Sequence, residues 1–407
     1  MRVELAHATT PSCIHPVSTS INHPTDAILY KMKIGLISPY NIFKGGGVQE
    51  CVLALQAELI RRGHEAKIIT PAPRSYEGEQ PENVIFMGAS TDMKSPLHTT
   101  VQISATGNGD RVSAVLNEEK FDILNFHEPW IPIISRQILA KSTAINVGTF
   151  HAKLPDTRVS KTIEKVITPY TKGILKSFDA LTAVSDAGAE YVKKLTDMPI
   201  NLIPNGIDLA KYKPKPSIKT DEPTIFYIGR LEKRKGVKYL LKAFAVLQET
   251  MPEAKLIIGG DGPDREKLEE LAYDLELKNI EFLGFVSDED KIRLMQSSTV
   301  FCAPALYGES FGIVLLEAMA CGTPVVAGDN PGYAGVMQGR GELSLVDPRH
   351  TDDFARRLHM LLSDEGLRKS WNTWAHEYVQ QFDYSHIVDQ YEALYENLCQ
   401  KKAQQNG

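Results

Sequence analysis

Short apolar runs alternate with amphipathic helical stretches along most of this chain, and the alternation occurs in two successive series. In the first, KIGLIS at 33–38 and AKIIT at 66–70 are typical of buried strands, and residues 48–62 carry apolar side chains at helical spacing. The pattern restarts with TIFYIG at 224–229, followed by a helix over 237–248. Strands alternating with helices predict parallel, doubly wound sheets, so we expect an α/β protein with two Rossmann-like domains facing across a cleft.

A polar, proline-rich stretch, KYKPKPSIKTDEP at 211–223, is typical of an interdomain linker. We place the two domains at residues 32–206 and 207–371, and we expect helices near 372–399 to cross back and complete the first domain. Residues 1–31 lack the apolar core of a signal peptide and the Arg-rich pattern of a transit peptide. We therefore expect a disordered extension before the first strand.

Charge and composition exclude several classes of protein. The net charge of −6 argues against a nucleic-acid binder. Residues 1–207 hold 21 Lys and Arg against 20 Asp and Glu, so nearly all the excess acid lies in the second half. No stretch approaches eighteen apolar residues, so no transmembrane helix is expected. Five scattered cysteines without a CxxC pair indicate reduced thiols in the cytoplasm.

Two motifs at predicted strand ends point to an anionic ligand. KGGGVQ at 44–49 places three glycines before a helix, where the backbone can approach a ligand and the helix N-terminus favours negative charge. GRLEKRKG at 229–236 crowds four cations where open α/β sheets bind ligands. Such cations would stabilise the charge of a departing diphosphate. The alternatives are a tight turn for the first motif and a solvated surface run for the second.

A third motif, GESFGIVLLEAMACGTPVV at 308–326, combines two acidic residues with a predicted helix start. Glu309 precedes a helix expected from about Phe311, and backbone N–H groups at that start would face an anion. Glu317 lies inside the helix within an apolar run, where a carboxylate is costly unless it finds partners. Glu317 either accepts hydrogen bonds from ligand hydroxyls or is a solvated helix residue.

The remaining titratable groups give weaker signals. His127 and His151 each follow a predicted strand on the cleft side, and each is either structural or part of the site. Asp288 to Asp290 fit a DxD metal motif, but they lie at a helix start, where capping is favoured. The lysine-rich stretch 160–176 is either a membrane-surface face or, as we favour, a solvated face on a packed helix.

Taken together, these motifs resemble retaining glycosyltransferases of the GT-B fold in glycosyltransferase family 4, above all the actinobacterial phosphatidylinositol α-mannosyltransferases. The resemblance runs from about Met32 to about Tyr395, and Glu309 to Glu317 reproduces the EX7E spacing of that family. The segments that carry it are GGVQ (46–49), HEP (127–129), TFH (149–151), IPNGID (203–208), GR…RKG (229–236) and CAP…GESFGIVLLEAM (302–319).

The resemblance implies roles for the donor side. As catalytic groups, Arg230 and Lys235 would hold the donor diphosphate and Glu309 would contact the sugar hydroxyls, while Glu317 would bind the ribose. The other donor-binding residues implied in this way are Gly46, Gly47, Phe285, Val286, Ser310, Phe311, Gly312, Ile313 and Val314.

On the acceptor side, the resemblance places His151 beside the transferred sugar as a catalytic group. The acceptor-binding residues implied are Tyr40, Gln49, His127 and Trp130. Trp130 stands where the family pattern has an asparagine, and Ala152 where it has a threonine. The acceptor is therefore left open between phosphatidylinositol, another lipid or polyol, and a glycan.

We therefore expect retaining transfer of a hexose, mannose from GDP-mannose, to a hydroxyl of a lipid-linked or polyol acceptor, with no metal or other cofactor. The alternatives are glucosyl or N-acetylglucosaminyl transfer from a UDP-sugar, and a non-catalytic scaffold that binds sugar nucleotides. We expect a cytoplasmic protein, with peripheral contact at the inner face of the cell membrane as a further hypothesis.

Overall fold

The computed structural model describes residues 31–73, 78–94, 100–105, 109–131, 133–153, 158–219 and 222–406. From Met32 onward the chain forms one compact unit. The extension expected over residues 1–31 lies outside the described residues, apart from Lys31.

The first domain is built on an eight-stranded sheet in the order β4-β3-β2-β1-β5-β6-β7-β8. Every neighbouring pair is parallel except β3 and β4. The strands are β1 (Lys33–Ile37), β2 (Glu65–Ala72), β3 (Val84–Lys94), β4 (Thr100–Ala105), β5 (Ile123–His127), β6 (Ile145–Phe150), β7 (Ala180–Ala183) and β8 (Ile200–Leu202).

The antiparallel β3–β4 pair departs from the expected all-parallel sheet. It pairs Ala89 with Ala105 and Lys94 with Thr100 at the sheet edge. Mixed sheets commonly carry an antiparallel strand at an edge. The first part of β3, VIFM, is an apolar run that pairs in parallel with β2, but the following GASTDMK, which pairs with β4, is polar and gives no such signal.

Helices cover both faces of this sheet, because alternate side chains of its strands point to opposite sides. One apolar cluster, with Ile34 and Leu36 of β1, packs against α1 and the last helix of the chain. The other, with Ile37 and Phe126, packs against α2 to α5. The helices are α1 (Gly47–Arg61), α2 (Gly109–Glu119), α3 (Ile134–Leu139), α4 (Arg158–Leu175) and α5 (Asp186–Lys193).

The second domain is built on a six-stranded parallel sheet in the order β11-β10-β9-β12-β13-β14. Its strands are β9 (Thr224–Ile228), β10 (Lys255–Gly259), β11 (Ile280–Gly284), β12 (Val300–Ala303), β13 (Val325–Gly328) and β14 (Leu345–Val346). Its helices are α6 (Val237–Thr250), α7 (Arg265–Asp274), α8 (Asp288–Ser297), α9 (Ile313–Ala320), α10 (Pro331–Val336) and α11 (Thr351–Ser363). Apolar clusters on both sheet faces give this domain the same three-layer architecture.

The last two helices, α12 (Glu365–Val379) and α13 (Tyr384–Asn406), belong to different domains. Trp371 and Ala375 of α12 are buried in the core of the second domain. In α13, Tyr391 and Tyr395 are buried in the core of the first. The chain therefore crosses between domains at residues 380–383, later than the predicted residue 372, because the apolar face of α12 packs on α9.

Candidate active site

The two domains contact each other at the carboxyl ends of their sheets. Ser185 follows β7, and its hydroxyl donates a hydrogen bond to the backbone oxygen of Ser310. On the same side of the first sheet, a β-carbon placed on Gly47 would lie 3.8 Å from Ile313 Cδ1 at the start of α9. The glycine loop and the acidic loop predicted to meet the donor are therefore neighbours across the cleft.

The cation cluster of the second domain, residues 230–235, is organised around Glu309. Glu309 Oε1 lies 2.8 Å from Lys235 Nζ and 2.7 Å from Arg234 Nη1. Arg234 Nε also pairs with Glu232 Oε1 at 2.6 Å. The Arg230 side chain is 45% exposed, with Nε 3.6 Å from Glu232 Oε2. Arg230 can therefore reach a ligand, whereas Arg234 is held between two carboxylates.

A tight turn brings these cations to Glu309. Residues Lys233–Lys235 form a 3₁₀ turn that ends at Gly236, whose φ is +73°. A β-carbon on Gly236 would lie 1.9 Å from the backbone oxygen of Pro304, so only glycine fits. The backbone N–H of Leu306 also donates to the oxygen of Arg234. The turn is thereby fixed on the loop that leads to Glu309.

Helix α9 begins at Ile313, two residues after the predicted start at Phe311. Gly312 precedes it in a left-handed conformation, with φ of +107°. Phe311 is 5% exposed and packs edge-on against Phe382, with ring centroids 6.0 Å apart. The side chain of Phe311 therefore anchors the loop in the core. In the first turn of α9 the N–H of Leu315 donates to the oxygen of Gly312, and the earlier N–H groups lack an acceptor one turn back, as at any helix start.

Glu317 is buried at 4% exposure, which excludes the solvated alternative. Tyr212 Oη donates to Glu317 Oε1 at 2.7 Å, and Lys291 Nζ donates to the same oxygen at 2.9 Å. Lys291 Nζ also lies 5.3 Å from the centre of the Tyr212 ring. Burial opposes the charge of Lys291, but the neighbouring Glu317 raises the pKa of this lysine above its usual value. Two donors therefore orient the carboxylate of Glu317, and one of them is a cation.

The predicted base-contacting segment follows β11. Phe285 is 90% exposed, so its ring is free to stack on a planar ligand. Val286 is partly buried and packs against the core of the second domain. Of the two residues, only Phe285 offers an open face.

The two predicted histidines lie together at the ends of β5 and β6. His127 Nδ1 is 2.8 Å from His151 Nε2, and the rings stack at 5.1 Å. Burial lowers the pKa of His151 to about 4, and burial with the neighbouring ring lowers the pKa of His127 well below its usual value. Both imidazoles are therefore neutral at pH 7, and His127 Nε2 is buried without a partner among the described residues.

Glu128, which the sequence reasoning did not select, links these strand ends. It is fully buried, and its Oε1 accepts hydrogen bonds from the backbone N–H groups of His151 and Ala152, each at 2.6 Å. Trp130 Nε1 donates to its other oxygen, Oε2. Burial raises the pKa of Glu128 to about 7 although these donors oppose the shift.

The other predicted acceptor residues lie in the loop after β1 and on α1. Tyr40 is partly buried, and burial together with Glu128 raises the pKa of its hydroxyl. The Gln49 side chain folds back over the glycine loop, since a β-carbon on Gly46 would lie 2.5 Å from Gln49 Oε1. These side chains place neutral polar groups on the wall of the first domain.

Sequence reasoning also did not select Arg234, Lys291 and Tyr212 as site residues. Arg234 had a signal, since it is one of four cations in a single motif. Lys291 and Tyr212 had none, because they come from segments 26 and 105 residues away from Glu317.

The weaker signals make none of the contacts described above. Asp288 to Asp290 form the first turn of α8, which Ser287 caps by accepting from the N–H of Asp290, as capping predicts. The lysines of α4 lie on its exposed face, while Ile174 and Leu175 are buried. The described residues contain no group of three side chains that could hold a metal ion, and none of their helices is long and apolar enough to span a membrane.

Comparison with known proteins agrees with this architecture. Residues 45–211 match the family model Glycosyltransferase Family 4, and residues 208–377 match Glycosyl transferases group 1. Among solved structures, sucrose-phosphate synthase from Thermosynechococcus elongatus superposes with a TM-score of 0.72 at 21% identity, covering 90% of this chain and 99% of that chain. Anabaena HepE in complex with UDP and glucose gives 0.71 at 21% identity, covering 90% and 100%. These two likenesses show the GT-B fold.

Relatives with similar sequences identify the family. The phosphatidyl-myo-inositol mannosyltransferase of Mycolicibacterium smegmatis is 33% identical over 90% of this chain and 94% of its own length. The protein of the same name from Mycobacterium leprae is 33% identical over 90% and 97%. Because both domain models match and the alignments cover nearly all of each relative, the chain belongs to glycosyltransferase family 4, and it is a hexosyltransferase.

Proposed function

We propose that this enzyme transfers mannose from GDP-mannose, with retention of configuration, to a hydroxyl group of a lipid-linked or polyol acceptor. The observation that carries the proposal is the pairing of Glu309 with Lys235 and Arg234 directly before α9 and across the cleft from Gly47. Similarity to phosphatidyl-myo-inositol mannosyltransferases supports mannose as the transferred sugar. We propose action in the cytoplasm, with peripheral membrane contact when the acceptor is a lipid.

In this mechanism the second domain stabilises the leaving group. Arg230 and Lys235 would contact the diphosphate oxygens, and the first-turn N–H groups of α9 would add dipoles where charge develops. Release of Lys235 from Glu309 to a phosphate oxygen would free the carboxylate for the sugar hydroxyls. Glu317 would accept from the ribose. These side chains can neutralise the diphosphate, so the proposal includes no metal or other cofactor.

Retention of configuration requires either a double displacement or attack on the same face from which the leaving group departs. Glu309 is held by two cations, and both oxygens of Glu128 accept N–H hydrogen bonds, so neither is placed as a nucleophile. We propose front-face attack. The acceptor oxygen bonds to the anomeric carbon as the bond to the diphosphate breaks, and the hydroxyl proton passes to the departing phosphate oxygen.

The direct test is incubation of the protein with radiolabelled GDP-mannose, UDP-glucose or UDP-N-acetylglucosamine and a lipid extract. We expect label from GDP-mannose to enter the product, with an anomeric configuration unchanged by NMR. Transfer from a UDP-sugar alone would overturn the donor assignment. Binding of nucleotide sugars without any transfer would support the non-catalytic alternative, and neither binding nor transfer would overturn the proposal.

Substitution of the cluster tests the same site. Glu309→Ala and Lys235→Ala should each lower kcat by about 10²-fold or more, because both alter groups aimed at the reacting charge. Glu365→Ala and Lys369→Ala form a matched control, since these residues make an exposed ion pair at 2.7 Å on α12. Circular dichroism should show intact folding in all four variants.

A further inference from the structure

The buried carboxylate of Glu128 takes no part in the mechanism proposed above. It is fully buried at the cleft end of β5, with φ of +52°, and its surroundings supply three N–H donors. Two donors are backbone N–H groups of His151 and Ala152 after β6. The third is the indole N–H of Trp130. One side chain therefore joins two strand ends and an aromatic ring.

This arrangement determines what the Trp130 ring can offer to a ligand. Its N–H is already bound to Glu128, so the indole has no further donor. The ring is partly buried and packs against the apolar cluster beneath the first sheet. An indole without a free N–H binds through its aromatic face. The apolar C–H face of a pyranose or a cyclitol matches such a surface, whereas a flexible open-chain polyol presents no fixed face.

We propose that Glu128 is a positioning residue that fixes the Trp130 indole relative to His151, so that Trp130 binds the ring of a cyclic acceptor, a pyranose or cyclitol, through its aromatic face. This inference rests on the proposed function, because it assigns the acceptor wall of the same cleft.

Glu128→Gln separates this role from a purely structural one. A glutamine oxygen can still accept from the backbone N–H groups of His151 and Ala152. Its amide NH₂ then faces the Trp130 N–H, so two donors oppose each other and the indole is released. The substitution therefore keeps the backbone connection and removes the indole connection.

The binding experiment uses GDP-saturated protein and three probes: methyl α-D-mannopyranoside, myo-inositol and glycerol. Wild-type tryptophan emission should change with at least one ring probe and not with glycerol. In Glu128→Gln the dissociation constant for that ring should rise about tenfold, while GDP affinity stays within about twofold. The double variant with Trp130→Phe should bind the ring no more weakly than Trp130→Phe alone, because the two residues act as a unit. Additive losses, or equal binding of glycerol, would overturn the proposal.

Matched controls are Glu365→Gln, an exposed carboxylate on α12, and Trp374→Phe, a partly buried tryptophan on the same helix. Neither should alter binding of the ring probes. Loss of GDP binding in the wild type would count against the proposed function instead, so the two failures are distinguishable.

A spectroscopic readout needs no ligand. Burial holds the pKa of Glu128 at about 7, so Trp130 emission, taken as the difference between wild type and Trp130→Phe, should titrate with a midpoint near pH 7. The titratable groups around Glu128 are Tyr40, His127 and His151, and all three are neutral there, since burial raises the pKa of the tyrosine and lowers the pKa values of both histidines. Glu128→Gln should abolish the transition. A transition that survives this substitution, or its absence in the wild type, would refute the indole connection.

Discussion

Removal of the charge on Lys291 tests how the buried acid Glu317 is tolerated. In Lys291→Met the side chain keeps most of its length and loses its ammonium group. Tyr212 remains as a donor to Glu317 Oε1, but no cation remains bonded to the carboxylate. Glu50 also faces this cluster from the first domain. Burial raises the pKa of Glu50, and repulsion from Glu317 adds to the shift. The variant therefore leaves acidic groups close together without their shared counter-ion.

The magnitude follows from the burial of the pair. The side chains of Lys291 and Glu317 are 12% and 5% exposed, and their charged atoms are 2.9 Å apart. At an effective dielectric of about 20, two unit charges at that distance attract by roughly 6 kcal/mol before desolvation is counted. Removing one partner of a buried pair costs about 3–5 kcal/mol. We expect about 3 kcal/mol for Lys291→Met, because the Tyr212 hydrogen bond persists.

A double-mutant cycle with Glu317→Gln measures the interaction itself. Each single variant should lower the free energy of unfolding in urea by about 3 kcal/mol. The double variant should lose about the same amount, because no uncompensated charge remains buried. The coupling would then be about 3 kcal/mol. Additivity within about 0.5 kcal/mol would refute the reasoning, and the exposed Glu365–Lys369 pair should show no coupling above experimental error.

Three further predictions follow from single contacts. Gly236→Ala should destabilise the protein by about 3 kcal/mol in urea unfolding, since the new β-carbon would collide with Pro304. Gly335→Ala is the control and should not destabilise the protein, because the space around Gly335 is open. Wild-type stability should fall as the pH drops from about 6.5 to 4, because burial holds the pKa of His151 at about 4 while the unfolded value is near 6.5. The urea midpoint of His151→Asn should be less sensitive over that range, and identical profiles would contradict this. Arg234→Lys should lower kcat/KM about tenfold in the transfer assay, since an ammonium cannot bridge Glu232 and Glu309 as the guanidinium does. Unchanged kinetics would count against that bridge.

The alternating architecture could be predicted because buried parallel strands are continuous apolar runs. The predicted strands at 33–38, 66–70 and 224–229 correspond to β1, β2 and β9 within two residues at each end. The antiparallel pairing of β3 with the edge strand β4 was missed because the paired residues 89–94 and 100–105 carry no such run. The position where the chain returns to the first domain was also misplaced. Both α12 and α13 are amphipathic, and amphipathicity alone does not say which core a helix packs on.

The candidate site was predictable where its residues share one loop or strand end. The motifs placed Glu309 and Lys235 in loops at the same sheet edge, because open α/β sheets bring their loops there, but they did not predict the ion pair between the two side chains. The partners of Glu317 and the role of Glu128 were not predictable, since a carboxylate in an apolar segment indicates that partners exist without identifying them. Contacts between distant segments, such as Tyr212 with Glu317, depend on tertiary packing that periodicity does not encode.

The uneven charge of the two halves now has a physical meaning within the cleft. The acidic second half supplies the ion pairs of the cleft: Glu309 and Glu317 each bind lysine or arginine, and Arg230 remains exposed. The near-neutral first half supplies His127 and His151, which burial keeps uncharged at pH 7. A charged wall suits a nucleoside diphosphate, and a neutral wall suits hydroxyl groups and ring faces. If the acceptor carries a phosphate, its charge must therefore be met outside this neutral wall, because an unpaired anion against it would pay its full desolvation cost.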